Sequence, residues 1–188
     1  MKKRLVVVCL LAVVILSIFG LQSRVINTVP LNVAKLEPGD ILFVDLYEGW
    51  DQAGFWDHMG IYIGEVDYAG ELNGVVESTF DSGVIIISLD SFIERDRLSR
   101  FSVRRLENMP GREEVIERMI EYALNSVGKP FDVTATATIP LKVNDRNLHC
   151  VEVVWQAYKV AGINLDSNGG LILYPDDIYF SSRLVPVK

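Results

Sequence analysis

The sequence predicts an α+β protein in which an antiparallel β-sheet or partial barrel is built first and a cysteine-bearing helix is packed on it afterwards. Three observations predict it. Short apolar and alternating runs, punctuated by Pro, Gly, Asp and Asn turn signals, fill residues 41–106. Residues 113–126 then place Val115, Met119, Tyr122 and Ala123 on one stripe at helical spacing, with most of the acids elsewhere. Residues 147–162 run from Asn147, a good N-cap, to Gly162, a good helix stop. That span is about four turns, too long for an ordinary strand, and its length and end signals outweigh the β-branched Val151, Val153 and Val154.

Composition narrows the function. The 188 residues carry a formal charge of −7; residues 1–24 hold Lys2, Lys3, Arg4 and Arg24 and no acid, so the remainder carries −11. A domain that acidic repels a phosphate backbone, which argues against nucleic acid as a partner. The chain opens on Met1-Lys2-Lys3-Arg4, and residues 5–21 are apolar apart from Ser17. This is the pattern of a secretory signal or N-terminal membrane anchor. No small-x-small cleavage site precedes Arg24, so an uncleaved anchor is favoured. The expected organisation is a signal or anchor over residues 1–24, a linker over 25–35 and one domain over 36–188. The domain is expected outside the cytoplasm, membrane-anchored or secreted.

An exported domain usually pairs its cysteines or avoids them. Here Cys9 lies in the apolar run and Cys150 is the one thiol left. A lone cysteine is more often a small buried hydrophobe than a nucleophile. Placed in the first turn of the 147–162 helix, however, a thiolate is stabilised by orphan N–H groups and the positive end of the helix dipole. Val154, Ala157, Tyr158 and Ala161 form the face by which that helix packs.

The remaining elements follow in order. Leu36-Glu37-Pro38-Gly39-Asp40 is a turn, residues 41–46 a strand, and residues 47–57 a loop. Trp50, Phe55 and Trp56 on that loop read equally well as a packed lid or a substrate wall. In Met59-Gly60-Ile61-Tyr62-Ile63-Gly64 the period is two. His58, Gly60, Tyr62 and Gly64 share one face, so the histidine stands at the strand entrance on a face that glycines keep open. After a turn, Val75-Val76-Glu77-Ser78 returns antiparallel. Glu77 falls opposite Gly60 and diagonal to His58, where a carboxylate can hold an imidazole in one tautomer. Residues 83–88 are a strand, 89–97 a short helix or turn, and 99–106 a strand whose Arg104 and Arg105 are expected in solvent unless one pairs with the acidic surface. Lys129-Pro130-Phe131-Asp132 is a turn into a stretch, 133–140, with no clear assignment. Tyr174-Pro175-Asp176-Asp177-Ile178 is a short capped helix, and residues 184–187 an edge strand. His149 adjoins Cys150, but helical neighbours point apart, which argues against it as a base. No zinc spacing surrounds it, and no cofactor is called for.

These pieces, in this order, resemble the permuted papain-like amidases of the YaeF/YiiX type, within the NlpC-like superfamily of cysteine hydrolases. The ordered pair that carries the resemblance is Asp57-His58-Met59-Gly60-Ile61-Tyr62-Ile63-Gly64 followed by His149-Cys150-Val151-Glu152-Val153-Val154-Trp155. It implies a circularly permuted papain-like fold in which Cys150 is the nucleophile, His58 the base and Glu77 the residue that orients the base. The sequence departs from the family at His149, where an aromatic such as Tyr is expected, and at Val151, where Ser is common. The reaction implied is hydrolysis of amide bonds by an exported thiol enzyme, with cell-wall peptides the expected substrate. Two alternatives stand beside it. One is an acyl hydrolase or acyltransferase acting on lipid esters, as in the lecithin–retinol acyltransferase group, which the tether and the 50–56 loop would suit. The other is a binding domain without turnover.

Overall fold

The computed structural model describes residues 32–45, 54–66, 72–95, 100–133, 142 and 146–187. The apolar run at the N-terminus, Trp50 and the 134–140 stretch lie outside the described residues. Among those described, no helix is long and apolar enough to cross a membrane.

Six strands form one antiparallel sheet: β1 (Ile41–Asp45), β2 (His58–Val66), β3 (Leu72–Thr79), β4 (Gly83–Ser88), β5 (Arg100–Leu106) and β6 (Leu184–Pro186). Their order across the sheet is β4-β3-β2-β1-β5-β6, which puts β2, the histidine strand, near the middle and β6 at an edge. Among the described residues four α-helices accompany them: α1 (Leu89–Arg95), α2 (Arg112–Asn125), α3 (Cys150–Val160) and α4 (Pro175–Tyr179). The expected α+β architecture, sheet first and cysteine helix afterwards, is therefore the one observed.

Alternation along the strands divides the apolar residues between two faces. Met59, Ile61, Ile63 and Val76 point to the larger core, which they share with Met119 and Ala123 of α2 and with Val151, Val154 and Tyr158 of α3. Leu42, Val44, Tyr62 and Val75 point the other way, onto Leu89 and Phe92 of α1. The buried face expected of α3 is borne out: Val154, Ala157 and Tyr158 are fully buried and Ala161 nearly so. The Tyr158 hydroxyl donates to the Gly39 carbonyl at 2.5 Å, tying α3 to the turn before β1. Gly39 and Gly162 hold φ of +94° and +91°, where a side chain would be strained.

Four expectations need correction. The face at Gly60 is not open to a visitor. A Cβ there would lie 2.7 Å from Val75 Cγ1 and 3.2 Å from Phe92 Cε2, so the glycine admits the ring of α1. Trp56 is neither lid nor wall: it is 1% exposed and packs at a tilt against Phe43 and Tyr179 in the larger core. Only Phe55 of that pair remains partly exposed, against Phe180. Arg104 and Arg105 are half-buried, and Arg105 makes the pairing with an acid that the sequence allows for one of them. The Arg105 guanidinium makes two hydrogen bonds, of 2.7 and 2.8 Å, to the buried Asp40 carboxylate, and Arg104 lies 4.0 Å above the Tyr179 ring. Finally, α3 begins at Cys150, and His149, not Asn147, is its N-cap. The chain is held extended up to that point because the Leu148 N–H donates to the Pro130 carbonyl (3.0 Å) and the Leu148 carbonyl accepts from Ser78 Oγ (2.6 Å).

Candidate active site

Antiparallel register brings the first two site residues together. Gly60 pairs with Glu77 across β2 and β3, which places the carboxylate diagonal to His58. Glu77 Oε2 lies 2.6 Å from His58 Nε2. A carboxylate at full burial needs more than one partner, and α1 supplies it. Arg95 meets Glu77 as a two-pronged fork, Nη1 to Oε1 at 2.6 Å and Nη2 to Oε2 at 2.9 Å. Burial would raise the Glu77 pKa, but the bonds and charges of His58 and Arg95 outweigh it and hold the carboxyl down at about 2. The far side of the His58 ring rests on Phe92, centroids 6.0 Å apart. Phe92 and Arg95 of α1 thus set both the plane and the partner of the imidazole.

Cys150 arrives from the other half of the chain, as the first residue of α3, and is 2% exposed. With His58 Nε2 engaged by Glu77, Nδ1 is the nitrogen left for the sulfur, and the two side chains lie close enough for each to shift the other's pKa. Burial alone would lower the histidine pKa; the bonds and charges of Cys150 and Glu77 instead push it up to about 10. Burial would likewise raise the thiol, and the charges and bonds of His149 and His58 pull it down to about 5. The couple is therefore a thiolate and an imidazolium around neutral pH, the reactive form of a cysteine.

A second imidazole touches the same sulfur: His149 Nδ1 is 3.3 Å from Cys150 Sγ. Sequence reasoning set His149 aside because helical neighbours diverge, but His149 is not helical. As N-cap it has φ −69° and ψ 161°, which swings its side chain back over the first turn. Its N–H donates to Glu152 Oε2 at 2.8 Å, and its ring packs against Phe131 with centroids 4.8 Å apart. Glu152 is buried beside Asp132, and burial is the main cause that pushes its carboxyl up to about 7. Arg95 was also missed. The sequence offered only a basic residue at the end of a short helix, with no sign of the strand beneath it.

A thiol on the first turn of a helix, an imidazole and a carboxylate on a sheet, and a chain in which histidine precedes cysteine define a class: the papain-like fold in permuted order. The chain belongs to the permuted papain-like amidase enzymes of the YaeF/YiiX, C92 family, which it matches over residues 35–173. Among solved structures it is similar to YiiX of Escherichia coli O157:H7, described as a metalloprotein, with a TM-score of 0.65 and 17% identity over 82% of this chain and 97% of that one. That likeness speaks for the fold alone. Among the described residues no group of three or more His, Cys, Asp or Glu side chains is placed to hold a metal ion. The chain is 38% identical over 69 residues to the uncharacterized protein YycO of Bacillus subtilis, and 34% identical over 110 residues to protein OPG091 of Variola virus. These matches span 33% and 58% of this chain but only 25% and 55% of the curated relatives' lengths.

Proposed function

We propose that this protein is an extracytoplasmic cysteine hydrolase that cleaves amide bonds, with Cys150 as nucleophile, His58 as acid and base, and Glu77 as the residue that orients His58. The observation that carries the reading is the line Arg95–Glu77–His58 on the sheet and its helix, buried at Glu77 and His58, that ends beside Cys150 at the start of α3. The thiolate attacks the amide carbon, a C–S bond forms and the carbonyl electron pair moves to oxygen. The Cys150 N–H, among the first of α3 and so without an intrahelical acceptor, is available to that oxyanion. As the tetrahedral intermediate collapses, the C–N bond breaks and the imidazolium of His58 gives its proton to the leaving amine. Water then adds to the thioester while His58 takes its proton, and the electron pair of the C–S bond returns to sulfur.

Family membership supports a peptide-like amide, and the basic-then-apolar run over residues 1–21 supports export and tethering of the domain at a membrane, where cell-wall peptides are the natural substrate. The lipid-ester reading loses one of its supports, because Trp56 is spent in the core.

The test is to assay the full-length protein, in detergent, on muropeptides and on phospholipid vesicles, beside Cys150→Ala. Release of new amine from the peptide, lost by roughly 10³-fold or more in the variant, is expected. Fatty-acid release without peptide cleavage, or equal turnover by the variant, would refute the proposal.

A further inference from the structure

The reaction just proposed needs one histidine, yet two converge on the sulfur. We propose that His149 is a further catalytic residue: from the N-cap of α3 its Nδ1, 3.3 Å from Cys150 Sγ, donates a hydrogen bond that holds the sulfur as a thiolate independently of His58. This rests on the cysteine-hydrolase reading for its place in the cycle, though not for its test.

The geometry is built rather than incidental. Backbone bonds pin the chain on both sides of the ring: Leu148 is fixed to Pro130 and Ser78, and the His149 N–H is fixed to Glu152. Phe131 packs on the ring and leaves it little freedom to turn away. At 2% exposure, His149 cannot trade the sulfur for water. Its position is also where this chain parts from the aromatic residue expected in the resemblance drawn above. A Tyr at an N-cap offers its hydroxyl one ring length farther from the backbone, whereas an imidazole puts a nitrogen beside its own Cβ, level with the next residue's sulfur. The groups that face it are Cys150 and Glu152 on α3 and His58 on β2, while Asp132, on the segment before α3, bears on Glu152. The Glu152 carboxyl favours a donor form of the ring, and His58 opposes a second full charge.

Such a donor acts in the second half of the cycle, beside the imidazolium that His58 has by then become. Once His58 has protonated the leaving amine, it is neutral and must accept a proton from water. When the thioester intermediate collapses, the C–S electron pair goes to a sulfur that His58 serves only after it has taken that proton. A donor already in place at His149 stabilises the departing thiolate, and neither gains nor loses a proton over the turnover. In the resting enzyme the same bond divides the work of holding the thiolate between two imidazoles.

The experiment reads the thiol directly, without substrate. Alkylation of the full-length protein by iodoacetamide is followed from pH 4 to 10 in the wild type, His58→Ala, His149→Phe and the double variant, and in His149→Asn, whose side-chain amide can set a donor where Nδ1 stands. His58→Ala is expected to lose hydrolysis while its alkylation rate at pH 6 falls less than about tenfold. The double variant should fall roughly 100-fold, as an ordinary thiol with pKa about 8.5 is largely protonated at pH 6. His149→Asn should restore most of what His149→Phe loses. The proposal is overturned if His58→Ala alone drops as far as the double variant, or if His149→Phe alkylates as the wild type does. A melt of each variant by circular dichroism separates a lost donor from a lost fold. Absence of amide hydrolysis in the wild type would count against the proposed function and leave the alkylation profiles to decide on His149.

Discussion

Replacing Glu77 by Gln is the most informative single change. Glu77 is fully buried, held between an imidazole and a guanidinium, and its pKa is about 2 where an ordinary glutamate stands at 4.5. A group whose folded pKa is depressed stabilises the fold above its unfolded pKa, and that stability fades as pH falls through the folded value. The window is thus from pH 4.5 down to about 2. At about 1.4 kcal/mol per unit the shift corresponds to about 3 kcal/mol. Arg95 is 41% exposed, so water screens its share and about 2 kcal/mol is the better expectation at neutral pH. The same ion pair also raises His58, and the two views of one interaction are not added. Urea unfolding of wild type and Glu77→Gln at pH 7 and at pH 2.5 measures it. The variant should be weaker at pH 7 by about 2 kcal/mol, with the gap narrowing in acid. A gap that is absent at pH 7, or that widens in acid, would refute the claim that Glu77 is a buried anion holding His58.

The pH profile of kcat/KM should be a bell: it climbs as Cys150 loses its proton through about pH 5 and falls as His58 loses its own through about 10, and an activity maximum outside that span would break the ion-pair assignment. Gly60→Ala should cost about 1–3 kcal/mol in a urea melt, since the new methyl must displace Val75 or Phe92, and a neutral result would mean that α1 yields freely. Tyr158→Phe removes the bond from α3 to the Gly39 carbonyl and should cost about 1–2 kcal/mol in the same assay, with little effect on the alkylation rate of Cys150.

What could be read from the residues and what could not divide along a physical line. The register of β2 against β3 was legible because alternation fixes which residues share a face, and a hairpin then fixes which stand opposite; Glu77 meeting His58 follows from those two rules. The order His58 before Cys150 carried the family and with it the fold. Hidden were the contacts that depend on where an element begins. A helix capped at Asn147 would turn His149 away from the sulfur; one capped at His149 leaves that residue extended and turned toward it, and two residues of slack decide between the two. Arg95 was hidden for another reason: nothing local in a short helix says which strand lies under its last turn. Trp56 misled because an aromatic among glycines and acids reads as surface, while the space beside Phe43 and Tyr179 that it fills is made by distant parts of the chain.

The sulfur and the His58–Glu77–Arg95 line come from opposite halves of the chain and meet only when the helix bearing one has docked on the sheet bearing the other. A newly made chain therefore carries a dull, mostly protonated thiol, and the sharp one exists only in the finished molecule. Reactivity is switched on by completion of the fold, so a misassembled copy is not merely inactive but chemically quiet, unlike a protein whose nucleophile is activated by its immediate neighbours alone.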